Sequence, residues 1–242
     1  MLGPRHRAAP AGKMLTPLRW NDRTMTIDYT RARENMVEQQ IRPWDVLDLR
    51  VLELLARLPR EIFVPDAYKA LAYADLEIPL SDGRKMLKPV IEGRLLQALS
   101  LQPGEDVLEV GSGSGFVTAC LAELAREVVS LEIDPALAAR ARANLDTAGL
   151  GSNVRIETAD VFAWQTERKF DAICLTGATD TLPLHLLNWL RPDGRLFVVH
   201  GRAPVMEAVL VRGSVNAPLI ESLFETELAY LDGAAPAPQF KF

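Results

Sequence analysis

Cysteine and histidine are scarce in this sequence, which has two cysteines and three histidines among 242 residues. Cys120 and Cys174 lie in apolar stretches without the spacing of a metal site or a redox pair, so both are predicted to be buried, reduced thiols and no metal is expected. The chain also lacks an apolar run of about 20 residues that could span a bilayer, and an apolar signal core near its start. These absences predict a cytoplasmic protein that does not bind a membrane.

Positive charge is not in excess either, because the formal net charge is -5 and the sequence pI is about 5.4. An acidic balance of this kind argues against a domain that coats nucleic acid or an anionic membrane. The 48% hydrophobic and 24% charged content is ordinary for one α/β domain with its own core. Composition favours a monomer but does not fix the oligomeric state.

The start of the chain differs in composition from the rest. Residues 1–24 hold five basic residues against one acid, with prolines and no apolar periodicity, so residues 1–27 are predicted to be a disordered extension. A basic leader could be an organelle transit segment, but an upstream start codon, with Met25 as the natural beginning, is the interpretation we favour. Residues 28–242 are then predicted to form a single domain.

Helical spacing dominates the first part of that domain. Apolar residues recur at three- and four-residue steps over residues 29–58, with a break at Pro43, and Pro89 is placed to start a helix that runs to about Ser100. Between these segments, prolines and the turn dipeptide Asp82-Gly83 predict a long irregular loop over residues 73–89. Residues 28–100 therefore read as an N-terminal helical layer with a loop.

After residue 103, short β-branched runs alternate with longer amphipathic runs, which predicts a doubly wound, mostly parallel sheet of the α/β class. The predicted strands are 106–110, 128–132, 154–157, 171–176 and 195–200. Helices are predicted after Gly115, after Asp134-Pro135, which supply an N-cap and a first helical residue, and after Thr181. Residues 201–242 are predicted to add edge strands at 205–211 and 219–231.

A glycine-rich loop follows the first of these strands, reading EVGSGSG over residues 109–115. Its backbone N–H groups lie at a helix start, where a dinucleotide or S-adenosylmethionine could bind. The dinucleotide fingerprint needs a glycine where Phe116 stands. The Glu109 carboxylate would repel a pyrophosphate but attract the ammonium and sulfonium groups of S-adenosylmethionine. The loop therefore predicts S-adenosylmethionine as the cofactor.

Two more carboxylates follow the next two strands. Glu132 is predicted to accept both ribose hydroxyls of the cofactor, and Asp160 its exocyclic amine, with apolar ring contact from Val161 and Phe162. A solvated or helix-capping carboxylate is the alternative for each acid taken alone. The predicted cofactor contacts are Glu109, Gly111, Ser112, Gly113, Gly115, Glu132, Ile133, Asp160 and Val161.

Several motifs resemble those of the protein-L-isoaspartate O-methyltransferase family, over about residues 36–201. They are RVL at 50–52, LPREIFVP at 58–65, AYAD at 72–75, VLEVGSGSG at 107–115, FDAI at 170–173 and LRPDGRL at 190–196. The segments before residue 100 match the leader of that family, which general class I methyltransferases do not share. The resemblance implies a Rossmann-like fold and methyl transfer to the carboxylate of isoaspartyl residues, a protein-repair reaction.

One loop departs from that family, whose pattern reads Gly-Gln-Thr-Ile-Ser-Gln-Pro where this chain has GRKMLKP at 83–89. Lys85 and Leu87 replace the two hydroxyl residues that the resemblance would place near the transferring methyl. The basic residues Arg84, Lys85 and Lys88 could instead clamp an anionic small molecule, or be a solvated loop without a role. Lys85 must point outward, pair with an acid such as Glu77, or move, because an ammonium near a sulfonium is repelled.

The catalytic residues are thus left open, with this loop and two strand-end residues, Thr176 and His200, as candidates. His200 ends the fifth strand of the core, whereas His185 has the helical spacing of a packing residue. The expected partner is an isoaspartyl protein or peptide, or an anionic small molecule. A binding protein without catalysis is the third possibility, because both hydroxyls are absent.

Overall fold

The fold was examined in a computed structural model, which describes residues 27–81 and 83–237. The extension predicted for residues 1–27 therefore lies almost entirely outside the described residues. Both cysteines are free and buried, as predicted. In the described part of the chain, no helix is both long and apolar enough to cross a membrane.

The N-terminal layer is built from helices α1 (Tyr29–Met36), α2 (Leu49–Arg57) and α3 (Pro89–Leu99). A π-helical turn, Val37–Ile41, continues α1, and short 3-10 turns lie at Arg42–Trp44, Arg60–Ile62 and Asp66–Leu71. Helix α2 buries an apolar face and has Asp48 as its N-cap, with the side chain accepting from the Arg50 N–H. The predicted break at Pro43 and the start of α3 at Pro89 are confirmed.

The stretch between Tyr73 and Pro89 is not the irregular loop that its prolines predict. It contains an antiparallel hairpin, β1 (Ile78–Ser81) and β2 (Arg84–Met86), which forms a two-stranded sheet of its own. Ile78 pairs with Met86, and both side chains are buried. Because the pairing needs only short strands, the proline in β1 is tolerated at an edge position.

The main sheet has seven strands in the order β5-β4-β3-β6-β7-β8-β9. These are β3 (Asp106–Val110), β4 (Glu127–Glu132), β5 (Val154–Thr158), β6 (Phe170–Thr179), β7 (Leu190–Arg202), β8 (Val205–Ser214) and β9 (Ala217–Glu225). The first five are parallel, and β8 and β9 are antiparallel additions at one edge. The doubly wound class is confirmed, and β9 ends earlier than predicted.

Helices cover the two faces of this sheet unequally. Helices α4 (Phe116–Leu124) and α5 (Pro135–Thr147) follow the glycine loop and the Asp134 N-cap as predicted. The helix predicted after Thr181 is wrong, because that connection holds only the 3-10 segment Leu184–Trp189. A large apolar core joins α2, α3, α4 and α5 to one face, while a smaller core on the other face packs Leu186, Leu187 and Trp189 against the strands.

Strand order places a ligand site at one edge of the sheet. From β3 the chain builds outward to β4 and β5, then returns to β6 on the opposite side of β3. The crevice at the carboxyl ends of β3 and β6 is therefore the topological switch point, where ligands bind in open α/β sheets.

Candidate functional site

An open cavity of about 700 Å³, counting space open to solvent, lies at this switch point. Four groups of residues line it. They are Val110, Gly111 and Gly113 at and beyond the end of β3; Leu131, Glu132, Ile133 and Leu137 at and beyond the end of β4; Ala159, Asp160 and Val161 after β5; and Thr176 and Gly177 in β6. Its remaining walls come from the hairpin, through Leu80, Arg84 and Lys85, and from Ala229, Tyr230, Leu231 and Asp232.

The glycine loop turns sharply beneath this cavity. Gly111 has a φ of 95°, and a Cβ there would lie 2.4 Å from the Thr176 Oγ1, so only glycine fits. The N–H groups of the three glycines are already donated within the protein: Gly111 to the Leu131 carbonyl at 2.7 Å, Gly113 to Glu132 at 2.8 Å and Gly115 to the Ser112 carbonyl at 2.8 Å. These amides cannot cradle a phosphate without giving up those bonds.

Glu132 is the carboxylate that the fold holds most firmly at the cavity. It is 4% exposed, and its Oε2 accepts from the Gly113 N–H at 2.8 Å while its Oε1 accepts from the Asp134 N–H at 3.1 Å. A carboxylate has about four acceptor positions, so each oxygen keeps one lone pair for a ligand donor. The two backbone bonds fix the orientation in which a pair of hydroxyls would be received.

Glu109 lies behind the glycine loop and does not line the cavity. Its side chain is fully buried, and its Oε2 accepts from the hydroxyls of Thr118 and Ser130, each at 2.6 Å. Its Oε1 is buried without a hydrogen-bond partner in the described part of the molecule. Burial raises the pKa of Glu109 to about 7, against which both hydroxyl bonds act. Glu109 therefore sits as a group that can gain or lose a proton near neutral pH.

This raised pKa predicts a pH-dependent stability difference between the protein and Glu109→Gln. The folded protein holds a proton that the unfolded chain releases, so the stability from protonated Glu109 is lost as pH rises from the ordinary value of 4.5 through about 7. Because glutamine does not titrate, we expect the variant to gain about 1 kcal/mol relative to the wild type between pH 6 and pH 8. Urea unfolding of both proteins at pH 6 and pH 8 measures their free energies of unfolding. If the difference between the two proteins is the same at both pH values, the prediction is contradicted.

Of the other predicted cofactor contacts, the structure places some at the cavity and others away from it. Ile133, Asp160 and Val161 line the cavity, and Asp160 Oδ1 also accepts from the Phe162 N–H at 2.9 Å, a bond that orients the carboxylate and leaves acceptor positions on both oxygens. Ser112 lines a smaller, adjoining cavity. Gly115 lines neither cavity, and its role is to let α4 pack against α5, since a Cβ there would lie 3.1 Å from the Ala141 carbonyl oxygen.

The adjoining cavity, of about 300 Å³, shares Leu80, Lys85, Gly111, Gly113 and Thr176 with the first. Leu87, Phe116 and Glu92 line its far side. The Thr176 hydroxyl stands at the junction and donates to the Gly111 carbonyl at 2.7 Å. It lies where the strand pairing of β6 with β7 is irregular, between Cys174 and Ala178. A second ligand could thus meet the first beside Thr176.

The candidate basic loop is largely neutralised. Arg84 is paired with Asp232 at 2.6 Å and with Asp134 at 3.5 Å, and Lys85 is paired with Glu77 at 2.7 Å. The sequence left three possibilities for Lys85, and the structure shows one of them, the pairing with Glu77. Lys88 is exposed and lines neither cavity. The structure therefore does not bring the three cations together as a clamp.

His185 and His200 lie outside both cavities. His200 is partly buried in β7, between Thr179 and Glu207 in the strand register. His185 packs its ring near Phe162 and Trp189. No group of three or more histidine, cysteine or acidic side chains that could hold a metal ion exists in residues 27–81 and 83–237.

Sequence reasoning missed two parts of the site. The first is the wall formed by residues 229–232, which lies beyond β9 and reaches the cavity through backbone pairing with Ala178. The second is Glu92, a buried carboxylate on α3 that pairs with Arg60. A signal existed only for the second, because Glu92 interrupts the apolar run of a buried helix.

Comparisons with known proteins give the same family as the sequence motifs. The family model described as Protein-L-isoaspartate(D-aspartate) O-methyltransferase (PCMT) matches residues 30–216. Protein-L-isoaspartate O-methyltransferase 1 of Syntrophobacter fumaroxidans is 40% identical over 76% of this chain and 86% of its own length. The Syntrophotalea carbinolica enzyme is 35% identical over 86% of this chain and 96% of its own length.

Solved structures agree in fold. A Plasmodium falciparum protein assigned as a protein-L-isoaspartate O-methyltransferase, in complex with S-adenosyl-L-homocysteine, has a TM-score of 0.69 at 20% identity, covering 85% of this chain and 99% of its own. Another structure named protein-L-isoaspartate O-methyltransferase has a TM-score of 0.72 at 23% identity, covering 84% of this chain and 66% of its own. The family predicted from the motifs is confirmed: this chain belongs to the protein-L-isoaspartate O-methyltransferase family.

Proposed function

We propose that this protein is an S-adenosylmethionine-dependent methyltransferase that esterifies a carboxylate, with isoaspartyl residues of proteins as the substrate class. The main support for this cofactor is Glu132, a buried carboxylate that two backbone N–H groups orient and that lines the cavity. Because the N–H groups of the glycine loop already donate within the protein, this loop fits a nucleoside better than a pyrophosphate. The acceptor class follows from the family to which the chain belongs.

The residues present fit the cofactor. Glu132 would hold the ribose, Asp160 the adenine amine and Ile133 and Val161 the adenine ring. Glu109 would act from behind the loop in its ionised form, which a bound cation favours over the protonated form. When bound, the cofactor would supply a methyl group on a sulfonium, and the acceptor carboxylate oxygen would bond to the methyl carbon as the carbon–sulfur bond breaks and its electrons pass to sulfur, which leaves as the neutral thioether. Because an acceptor carboxylate is already ionised near neutral pH, the protein needs no general base, and its contribution is positioning.

The acceptor would bind in the adjoining cavity, next to Thr176. Lys85 and Leu87 both line that cavity, at the positions where the family pattern has hydroxyl residues. An anionic small molecule is the alternative acceptor, but the pairing of Arg84 and Lys85 with acids leaves it without a free cationic clamp.

Isothermal titration calorimetry and a methylation assay test this function together. The protein is titrated with S-adenosylmethionine and incubated with labelled cofactor and an isoaspartyl peptide, with the matching aspartyl peptide as control. We expect binding and a base-labile methyl ester on the isoaspartyl peptide alone. Binding without ester would favour a different acceptor or a non-catalytic binder, and no binding at micromolar cofactor would refute the proposal.

The loop residues give a second prediction. Replacing Lys85 by threonine and Leu87 by serine together should raise the rate of isoaspartyl methylation by about threefold to tenfold, since one hydroxyl bond to the acceptor contributes about 1 kcal/mol. The rate is measured with saturating cofactor. Lys69→Thr, which removes an exposed lysine outside both cavities, is the matched control. An unchanged rate in the double variant would show that these positions do not limit the reaction.

Further features of the protein are proposed on sequence grounds. These are a single domain, with residues 28–100 as helical layer and loop, 101–200 as cofactor core and 201–242 as edge strands. The two free, buried thiols suit a reducing cytoplasm, and the acidic composition suits a monomer that does not bind nucleic acid.

A further inference from the structure

Two walls of the cofactor cavity that are far apart in sequence meet through one ion pair. Arg84 begins β2 of the hairpin, and Asp232 lies in the segment after β9, 148 residues away. The Arg84 Nη2 donates to the Asp232 Oδ2 at 2.6 Å. Both residues line the cavity, and their side chains are 30% and 49% exposed. The pair therefore lies at the rim, where the cavity meets solvent.

Of these two walls, the C-terminal one is anchored to the main sheet. The Ala178 N–H donates to the Ala229 carbonyl at 2.8 Å, and the Leu231 N–H donates to the Ala178 carbonyl at 2.9 Å. Leu231 also packs so closely on β6 that a Cβ on Gly177 would lie 2.8 Å from its Cδ2. The backbone pairing thus anchors the segment that carries Asp232, the partner of Arg84.

Within residues 27–81 and 83–237, the hairpin wall has no strand pairing with that sheet, and strands β1 and β2 pair with each other alone. Leu80 contacts the glycine loop, where a Cβ on Gly113 would lie 3.3 Å from its Cδ1. The Arg84 ion pairs are therefore the polar tie between the hairpin and the cofactor side of the cavity.

The guanidinium suits this task better than another side chain would. Its planar fork reaches Asp232 with one nitrogen and Asp134, the N-cap of α5, with the other at 3.5 Å. The hydrogen bond that Arg84 donates to Asp232 raises the pKa of Arg84 above its ordinary value, so the residue stays charged. The family pattern has glutamine at this position, which cannot form these ion pairs.

We propose that Arg84 is a positioning residue that retains the cofactor, by tying the hairpin to Asp232 across the rim of the cavity. This rests on the proposed function, because it takes the cavity to be the cofactor site. Arg84 then affects how long the cofactor stays bound, and it does not take part in recognition of the acceptor. Removing the tie should speed dissociation of the bound molecule, and should leave the acceptor's KM unchanged at saturating cofactor.

Surface plasmon resonance on the full chain with S-adenosylhomocysteine as the probe tests the tie. This probe has no net charge, so changes in overall Coulomb attraction contribute little. Arg84→Gln and Asp232→Asn should each raise the dissociation rate by about threefold to fivefold, the range expected of a partly exposed ion pair. The double variant should resemble Arg84→Gln, and Asp232→Glu should resemble the wild type. In high salt, the wild-type rate should approach that of the variants.

Arg212→Gln, which breaks the exposed pair with Glu221 away from both cavities, is the matched control. Unfolding midpoints of the free proteins should agree among all variants. Unchanged dissociation in Arg84→Gln and Asp232→Asn, additive effects in the double variant, or equal effects of Asp232→Asn and Asp232→Glu would each overturn the proposal. A wild type that fails to bind the probe would refute the proposed function itself, which is a distinguishable result.

Discussion

Replacing Glu132 with alanine should weaken the binding of S-adenosylmethionine and S-adenosylhomocysteine by several hundredfold. Glu132 is the buried carboxylate at the end of β4, and each of its oxygens keeps a lone pair toward the cavity. Two hydrogen bonds from ribose hydroxyls to a charged acceptor contribute about 3 to 4 kcal/mol together, which corresponds to that loss. Part of the loss would come from the glycine loop, because Gly113 and Asp134 would no longer donate to a side chain.

Two further variants separate these contributions. Glu132→Gln keeps the shape but only one acceptor oxygen, so it can accept from only one of the Gly113 and Asp134 N–H groups, and it should bind with intermediate affinity. Glu157→Ala removes a carboxylate from the neighbouring strand β5 that does not line the cavity, and it should bind as the wild type does. Calorimetric titration of each protein measures the dissociation constants. An affinity for Glu132→Ala within threefold of the wild type would show that the ribose is not held here.

The core of the fold could be predicted because its signals are local. A strand, the glycine loop and α4 are contiguous, and α5 is bounded by the Asp134 N-cap and by Gly149, whose φ is 68°. Each of these signals acts on residues within one turn of itself. Parallel pairing then brings Glu132, at the end of β4, and Asp160, after β5, to one edge of the sheet, without further information from the sequence.

The hairpin was missed for a reason that lies in the sequence itself. Asp82-Gly83 is a turn dipeptide of the kind that joins two short strands, but the neighbouring prolines favoured a loop. The error at residues 181–189 has another cause, since Leu184 and Leu187 fit one face of an α-helix and of a 3-10 turn equally. Tertiary packing against the smaller core decides between these two forms.

The remaining parts of the site depend on contacts across the whole chain. Residues 229–232 reach the cavity only because they pair with Ala178, and nothing in their own composition indicates a ligand wall. Likewise, nothing in the sequence indicates Asp232 and Asp134 as partners of Arg84. For Lys85 the sequence left pairing with Glu77 as one of three possibilities, and the fold selects it. Charge patterns predict cations, and only the fold tells which of them are neutralised.

Arg60 and Glu92 form a fully buried ion pair beneath the adjoining cavity, with side chains 0% and 1% exposed. The Arg60 Nε and Nη2 donate to the two carboxylate oxygens of Glu92 at 3.0 Å and 3.1 Å. The same guanidinium donates to the carbonyls of Ala72 and Leu87, at 2.5 Å and 2.6 Å. It therefore joins the N-terminal layer, the loop before α3, and α3 itself.

Replacing one partner of this pair should be strongly destabilising, and the two single variants should differ in their pH dependence. Glu92→Leu leaves a buried guanidinium that cannot lose its proton, so the free energy of unfolding should fall by about 3 to 5 kcal/mol at both pH 6 and pH 8. In Arg60→Leu, the remaining carboxylate can be neutralised by protonation. Burial already raises the pKa of Glu92 while Arg60 opposes the shift, so removing Arg60 raises it further.

The folded Arg60→Leu variant would thus hold a proton that its unfolded chain releases above the ordinary glutamate pKa. Its stability should consequently fall more steeply than that of the wild type as pH rises from 6 to 8, whereas Glu92→Leu, which has no carboxyl group at this position, should not fall more steeply than the wild type. The double variant should lose less than either single one, because no charge remains buried alone, although the carbonyls of Ala72 and Leu87 lose their donor. Urea unfolding of the four proteins at both pH values measures these differences. If the losses of the two single variants simply add in the double variant, the pair does not act as a unit, and Arg60 stabilises the loop through the two carbonyls alone.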